Sequence, residues 1–317
     1  MMMSTRPRRA FWLASAAAVL AFAATGLATC ADQPALSPVA GFGAAPQLPA
    51  PEKSLVPTVN IAPAKGWVRG AKPVAAPGFS VSQFADDLVH PRWLYFLPNG
   101  DVLVAETNAP PKDANSLRAM VMKQVMKRAG AAVPSPNRIT LLRDADRDGV
   151  AEIRTAFLDG LNSPFGMALV GDALYIADTD ALLRFPYADG DTRITAKATK
   201  LLDLPAGPIN HHWTKNLVAS RDGAKLYVSV GSNSNVGENG IDNETGRAAN
   251  WEIDAATGGS RIFASGMRNP VGMGWQPQTG ALWTAVNERD ELGNDLVPDY
   301  MTSVRDGGFY GWPYSYF

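Results

Sequence analysis

Hydrophobic and polar residues alternate in four segments of the chain, and each segment carries a turn in its middle. A proline or polar lead precedes an apolar stretch, a turn with Gly or Asp follows, and a second alternating run ends the unit. The runs after the turn are centred on Val104, Ile176, Val228 and Thr284. Turn pairs such as Asn-Gly and Asp-Gly between β-branched or aromatic runs are typical of β-hairpins. The pattern therefore predicts four hairpins.

The spacing of these hairpins indicates a repeat. The four centres are separated by 72, 52 and 56 residues. A repeat of about 50 residues with several short strands per unit is typical of a β-propeller, so we predict an all-β propeller over residues 78–317. That stretch provides four to five blades, and an open ring leaves sheet edges exposed. We therefore expect the chain to be part of a longer protein, truncated at its C-terminus.

The long first spacing is explained by an insertion near residues 113–130. From Ser116 to Arg128, apolar residues recur at helical intervals, namely Leu117, Met120, Val121, Val125 and Met126. Basic residues occupy the opposite side. The segment predicts a surface helix lying on the propeller; a membrane or partner helix is the alternative.

Residues 1–30 have the pattern of an export signal. Positive charges precede the apolar run Phe11–Leu27, which is short for a membrane span. Cys30 follows it directly, as in a bacterial lipoprotein processing site, so a lipid anchor is one expectation and ordinary cleavage the other. Both predict an exported, periplasmic protein. Residues 31–77 are rich in Ala and Pro and predict an extended linker.

Composition excludes some partners. Hydrophobic residues make up 46% and charged residues 19% of the chain, and the net charge is −1. That balance gives no electrostatic reason to expect nucleic acid or an anionic membrane as a partner. The single cysteine contributes no disulfide, and the sequence holds no C-x-x-C-H haem motif.

Histidine is scarce, which draws attention to the pair His211-His212. It precedes a predicted strand, where a propeller loop faces the central axis. A neutral imidazole suits proton abstraction near neutral pH. A surface or capping histidine is the alternative, and the lack of a third His or Cys argues against zinc.

A second cluster is Arg268-Asn269, on a loop that Pro270 stiffens. The arginine offers a planar cationic fork and the asparagine an amide, which together suit an oxygen-rich ligand. The alternative is an arginine that only staples the loop.

Two acidic segments are candidate calcium sites. The run from Asn287 to Asp295 holds closely spaced carboxylates, which repel one another unless a cation or arginine neutralises them. The second, from Asp144 to Glu152, begins like a calcium loop, with Asp144, Asp146 and Asp148 at positions 1, 3 and 5. It is not a complete EF-hand. A solvated acidic loop and an Asx-rich turn are the respective alternatives.

The runs Phe263–Met273 and Gly307–Pro313 together resemble the soluble PQQ-dependent glucose and sorbosone dehydrogenases, over residues 78–317. The resemblance implies a six-bladed propeller that holds pyrroloquinoline quinone (PQQ) and calcium. It makes His212 the general base and places Arg268 and Asn269 beside PQQ, with Arg268 also polarising the quinone. It assigns backbone carbonyls near Glu288 and Arg289 to the cofactor calcium, and Asp295 and Tyr310 to a structural calcium.

The function that follows from this resemblance is oxidation of a sugar, a sugar-derived aldehyde or a related alcohol, with electrons passing to a separate acceptor. One position departs from the pattern, because Ser232 stands where the glucose enzymes carry an aspartate. That departure argues against glucose as the substrate. The alternatives are a calcium-dependent propeller lactonase and a propeller that only binds a partner.

Overall fold

Four antiparallel sheets follow one another in the computed structural model of the protein, which describes residues 37–41, 46–51, 62–68, 70–111, 117–293 and 295–316. Blade 1 comprises β1 to β4, which are Pro91–Phe96, Val102–Glu106, Arg138–Arg143 and Ile153–Leu158. Blade 2 comprises β5 to β8, which are Gly166–Val170, Ala173–Ala177, Ala181–Pro186 and Thr199–Asp203. Blade 3 comprises β9 to β12, which are Leu217–Ala219, Lys225–Val230, Ala249–Asp254 and Ser260–Ser265. Blade 4 comprises β13 to β15, which are Asn269–Trp275, Leu282–Asn287 and Tyr300–Val304.

The arrangement of these sheets is that of a propeller. Within each blade the strands pair in chain order, and β1, β5, β9 and β13 lie side by side as the first strands of successive blades. The prediction of an all-β propeller is therefore confirmed, with four blades in the described part of the chain. The six-bladed ring that the resemblance implies stays a prediction.

All four predicted hairpins are present. They are β1–β2, β5–β6, β9–β10 and β13–β14, and the centres of their second strands pair with Leu94, Met167, Leu217 and Met273. The four centres are buried, and Val104 in the first blade is covered in part by Phe84 and Leu88, which precede β1. Alternation was therefore a sound guide to the hairpins.

The core lies between the blades. Leu103, Leu141 and Phe157 of blade 1 pack against Leu174 and Ile176 of blade 2, and similar layers join blade 2 to blade 3 and blade 3 to blade 4. Each such side chain contributes about 1.5–3 kcal/mol by leaving water. These layers fix the blades, and hence the loops at their ends, relative to one another.

A helix, α1 (Leu117–Arg128), lies between β2 and β3, where the helical spacing predicts one. The Ala64 N–H donates to the Arg128 carbonyl at its C-terminal end. Met120 and Met126, expected on the packed face, are 65% and 44% exposed. The two methionines are therefore largely exposed on a helix that the sequence predicts at the surface.

The chain divides into two units. One comprises Ile61–Asp290 with Val297–Phe317 and contains the blades, and the other comprises Met1–Asn60 with Glu291–Leu296. The predicted export signal and Cys30 lie outside the described residues. A 3-10 helix at Pro38–Gly41 corrects the expectation of a linker extended throughout, and a second 3-10 helix spans Ile241–Glu244. Among the described residues, no helix is long and apolar enough to cross a membrane.

Candidate active site at one end of the blades

Four loops lie at the same end of blades 2 to 4, because successive antiparallel strands reverse direction. They connect β8 to β9, β10 to β11, β12 to β13 and β14 to β15. These loops carry His212, Ser232, Arg268 and Glu288 in turn. Residues far apart in the sequence are thus brought to one end of the fold.

The ring of His212 is held by Ser232. Its Nδ1 lies 2.9 Å from the Ser232 carbonyl oxygen and 3.1 Å from the Ser232 Oγ. The carbonyl only accepts, and the Ser232 hydroxyl donates its one proton to the Ser234 carbonyl at 2.6 Å. Nδ1 must therefore carry the proton, which leaves the Nε2 lone pair free. No described residue bonds to Nε2.

The environment keeps His212 neutral. Its pKa is lowered to about 3, first because burial penalises the charged ring and then because Arg268 and His211 lie nearby. The His211 ring packs edge-on against it, with ring centroids 4.6 Å apart. An aspartate at position 232 would oppose this lowering, and a serine does so only weakly.

His212 and Asn269 approach each other across Gly231. A Cβ placed on Gly231 would lie 2.5 Å from the His212 Cβ and closer still to the Asn269 Oδ1. Only a residue without a side chain fits there. The buried Asn269 Oδ1 has no partner among the described residues, while its Nδ2 donates to the Asn287 Oδ1 at 3.4 Å. The structure thus brings the predicted base and the predicted cofactor-binding amide together.

Arg268 is 3% exposed and is held by three hydrogen bonds to two other loops. Its Nη1 donates to the Glu288 carbonyl, its Nε to the Asn235 carbonyl at 3.3 Å, and its Nη2 to the Asp290 Oδ2 at 2.8 Å. These are the contacts of a loop-stapling arginine, which was the alternative weighed from the sequence. Two of the five guanidinium N–H groups keep no partner among the described residues.

The residues predicted to bind calcium are only partly assembled. Glu288 is buried, which raises the pKa of its carboxyl, and its Oε2 accepts from the backbone N–H of Arg289. The Tyr310 hydroxyl instead donates to the Ser303 carbonyl at 2.6 Å and accepts from the Arg305 N–H. Asp295 belongs to the other unit of the chain.

Comparison with known proteins places this fold in a family. A family model described as TrAA12-like matches residues 73–302, which is most of the chain. The chain belongs to the TrAA12-like family. The resemblance predicted from the sequence is therefore confirmed for family and fold, while no curated protein matches the chain at a significant level.

Solved structures show the same fold at low identity. The iodide structure of the Trichoderma reesei Carbohydrate-Active Enzymes Family AA12 protein is 19% identical with a TM-score of 0.58, covering 76% of this chain and 60% of that one. The holo form of the PQQ domain of Coprinopsis cinerea pyranose dehydrogenase is 19% identical with a TM-score of 0.57. The match covers 75% of this chain and 57% of that one. The PQQ-bound aldose sugar dehydrogenase of Streptomyces coelicolor is 18% identical with a TM-score of 0.52. The match covers 74% of this chain and 66% of that one. This TrAA12-like chain thus spans about 60% of the first of these relatives.

A separate acidic cluster lies in the loop between β3 and β4. One carboxylate oxygen from each of Asp144, Asp146, Asp148 and Glu152 lies within 4.8 Å of the others. Backbone N–H groups of the loop donate to them, including that of Asp148 to both Asp144 and Asp146 at 3.1 Å. The fourth carboxylate comes from Glu152 at position 9 of the loop, whereas position 12, where an EF-hand carries a glutamate, is Thr155 in this chain.

Several residues of the site were missed by sequence reasoning. Asn235 pairs its side-chain amide with both backbone groups of Asp290 and accepts from Arg268 and the Trp312 indole. Tyr300 is half-buried, and its partial burial, followed by the nearby Glu288, raises its pKa. Arg247, which donates to Asn210 on the histidine loop, is the third residue that sequence reasoning missed. None belongs to a motif, because their roles arise from loops that only the fold brings together.

Proposed function

We propose that this TrAA12-like protein is a PQQ-dependent dehydrogenase that oxidises a sugar, a sugar-derived aldehyde of the sorbosone type or a related alcohol, with His212 as the general base. The hydrogen bonds of His212 carry the proposal. Because Nδ1 donates to Ser232, the free Nε2 lone pair is the atom that accepts a proton. A histidine that only packed or capped a loop has no need of this orientation.

The residues around His212 fit the cofactor. Asn269 presents a buried, unpaired Oδ1 directly beside the histidine, and Arg268 keeps two N–H groups for an anionic oxygen. The Glu288 carbonyl accepts from Arg268 and retains a second lone pair, which suits a calcium ion. When bound, PQQ supplies a quinone that accepts the hydride, and its negative charge opposes the lowering of the histidine pKa.

The protein's own part in the reaction is proton transfer and orientation. His212 takes the proton of a substrate hydroxyl or aldehyde hydrate through Nε2, as the hydride leaves the same carbon. Ser232 keeps the ring in the tautomer that allows this. The oxidation would release two electrons, which pass to an external acceptor, and two protons, one of which leaves through His212 and the other with reoxidation of the cofactor. That acceptor belongs to the proposal as well.

The test is reconstitution of the protein with PQQ and calcium. Binding is measured by the absorbance of PQQ, and turnover by reduction of an artificial electron-accepting dye with a panel of sugars, aldehydes and alcohols. We expect dye reduction that needs both PQQ and substrate, and a kcat about 10²–10⁴-fold lower for His212→Ala. His211→Ala is the matched control and is expected to retain most activity.

Three outcomes contradict the proposal. Retention of full activity by His212→Ala removes the general base. Hydrolysis of lactones without PQQ supports a lactonase instead. Failure to bind PQQ, together with binding of a protein partner, supports a propeller that serves only as a binding module.

A further inference from the structure

Arg247 is a buried arginine beside the histidine loop. It is 5% exposed, and burial lowers its pKa to about 10. Among the described residues its guanidinium bonds only to uncharged oxygens, with Glu244 as the carboxylate that acts on it most. Burying a cation without an ion pair costs folding free energy, so a buried arginine in this position calls for a structural explanation.

The three hydrogen bonds of Arg247 join two segments. Nη2 donates to the Ala206 carbonyl at 2.6 Å and to the Asn210 Oδ1 at 3.2 Å, on the loop that ends in His211-His212. Nη1 donates to the Gly231 carbonyl at 3.2 Å, directly before Ser232. The guanidinium therefore ties together the two segments whose contact holds the Nδ1 of His212.

A chain of hydrogen bonds continues from this arginine around the histidine. The Asn210 Nδ2 donates to the Thr179 Oγ1 at 2.8 Å, and the Thr179 hydroxyl donates to the Trp213 carbonyl at 2.8 Å. The residues immediately before and after the His211-His212 pair are thus fixed to one buried network.

The turn that receives the histidine is held from its other side by Glu244. Its carboxylate accepts from the Ser234 hydroxyl and from the Asn233 N–H at 2.7 Å. The Arg247 N–H in turn donates to the Glu244 carbonyl at 2.9 Å. Arg247 and Glu244 therefore both hold the turn of residues 231–234, Arg247 at its start and Glu244 at its end.

The geometry points to Arg247 as a positioning residue for His212. It holds the histidine loop against the Gly231-Ser232 turn, so that Nδ1 stays on Ser232 and Nε2 stays free. The close approach of His212 and Asn269 across Gly231 leaves little tolerance, because a small shift of Gly231 changes the distance between them. The catalytic part of this inference rests on the proposed function, whereas the structural part does not.

The test uses Arg247→Lys, which keeps the charge but not the forked geometry that reaches three oxygens. Nitrogen NMR of labelled histidine reports the tautomer of His212 without any cofactor. We expect the Nδ1–H form to lose its dominance, and the reconstituted enzyme to lose about 10–100-fold in kcat with KM nearly unchanged, as for other groups that orient a ligating or catalytic side chain. Arg143→Lys is the matched control. Arg143 is ion-paired with Asp101 in blade 1 and is expected to leave both measurements unchanged.

A second variant decides the matter if Arg247→Lys does not fold. Thr179→Val is nearly isosteric and breaks the same network at its far end, so it should shift the tautomer and kcat in the same direction by less. An unchanged His212 tautomer in the folded variants overturns the inference. If no PQQ-dependent activity is found in any variant, the proposed function fails, and the NMR result still decides whether Arg247 positions the histidine.

Discussion

Replacing Ser232 by Asp tests the account of His212 directly. In the wild type, the Nδ1 proton is shared between the Ser232 carbonyl and hydroxyl, and the pKa of the ring is lowered to about 3. An aspartate at this position puts a full negative charge within hydrogen-bond distance of Nδ1. The charged imidazolium is then stabilised, while Nδ1 remains the donor.

The size of the effect follows from that contact. An opposite charge within a few ångströms raises the pKa of a cationic group by about 1–3 pH units, which corresponds to about 1.4–4 kcal/mol. The pKa of the wild-type His212 ring therefore lies about 3.5 pH units below the ordinary value of 6.5. The unfolded chain therefore binds more protons between pH 6.5 and 3, so stability is full above pH 6.5 and falls as the pH drops, by up to about 5 kcal/mol.

The assay combines two titrations. Proton NMR of the His212 ring gives its pKa, and urea unfolding at pH 4 and pH 7 gives the difference in stability. We expect Ser232→Asp to titrate about 1–3 pH units higher than the wild type and to lose correspondingly less stability between pH 7 and pH 4. Ser232→Ala is the matched control. It keeps the backbone carbonyl, so its His212 should titrate close to the wild-type value.

Two results would refute this reasoning. If Ser232→Asp titrates where the wild type does, residue 232 does not act on the ring. If the wild-type His212 titrates near pH 6.5, burial and the neighbouring cations do not keep it neutral, and the electrostatic description of the site is wrong.

Two further predictions concern the spacing of the site and the acidic loop. Gly231→Ala should force His212 and Asn269 apart and lower the PQQ-dependent kcat by about 10–100-fold, since a misplacement of about 1 Å has that cost; steady-state kinetics with PQQ in excess measures it. Calcium at about 100 times its Kd should add about 2.7 kcal/mol of stability through the loop of Asp144 to Glu152, which raises Tm by several degrees, and Asp146→Asn should remove most of that rise in differential scanning calorimetry.

Each of these has a control in the same chain. Gly274→Ala adds a methyl group where nothing lies within 4 Å, so it should leave kcat unchanged. Equal losses from both glycine variants would mean that crowding at Gly231 is not the cause. Asp203→Asn removes an exposed carboxylate elsewhere and should keep the calcium response. A Tm insensitive to calcium in the wild type would show that the acidic loop is an Asx-rich turn without a metal.

The fold was largely predictable because its signals are local. Each hairpin is recognisable in the sequence from alternating hydrophobic and polar residues around a turn with glycine or aspartate, as at Asn99-Gly100. The centres of the second strands are buried in the structure. The helix was placed by the same kind of signal. The burial of its individual side chains was not predictable, because amphipathic spacing does not say what covers a helix. Met120 and Met126 are exposed.

The site was predictable only where a motif marks it. His212 and Asn269 were identified from their motifs, and the structure brings them together across Gly231. The partners of Arg268 were not predicted, because Asn235 and Asp290 reach it from two other loops. The bond of the Tyr310 hydroxyl to Ser303 of β15 was not predicted either, and the role of Tyr310 in calcium binding stays a prediction.

The charges around His212 suggest why a serine is tolerated at position 232. Arg268 and Arg247 both lower the pKa of the ring. The carboxylate of Glu244 accepts from Asn233 and Ser234. Among the described residues, no carboxylate bonds to the His212 ring, whose partner is Ser232. Under the proposed function, an anionic cofactor would stabilise the protonated histidine in place of a carboxylate at position 232. The NMR titration described above, repeated with PQQ and calcium, tests this directly. A His212 pKa that does not rise on binding would leave the serine unexplained by electrostatics.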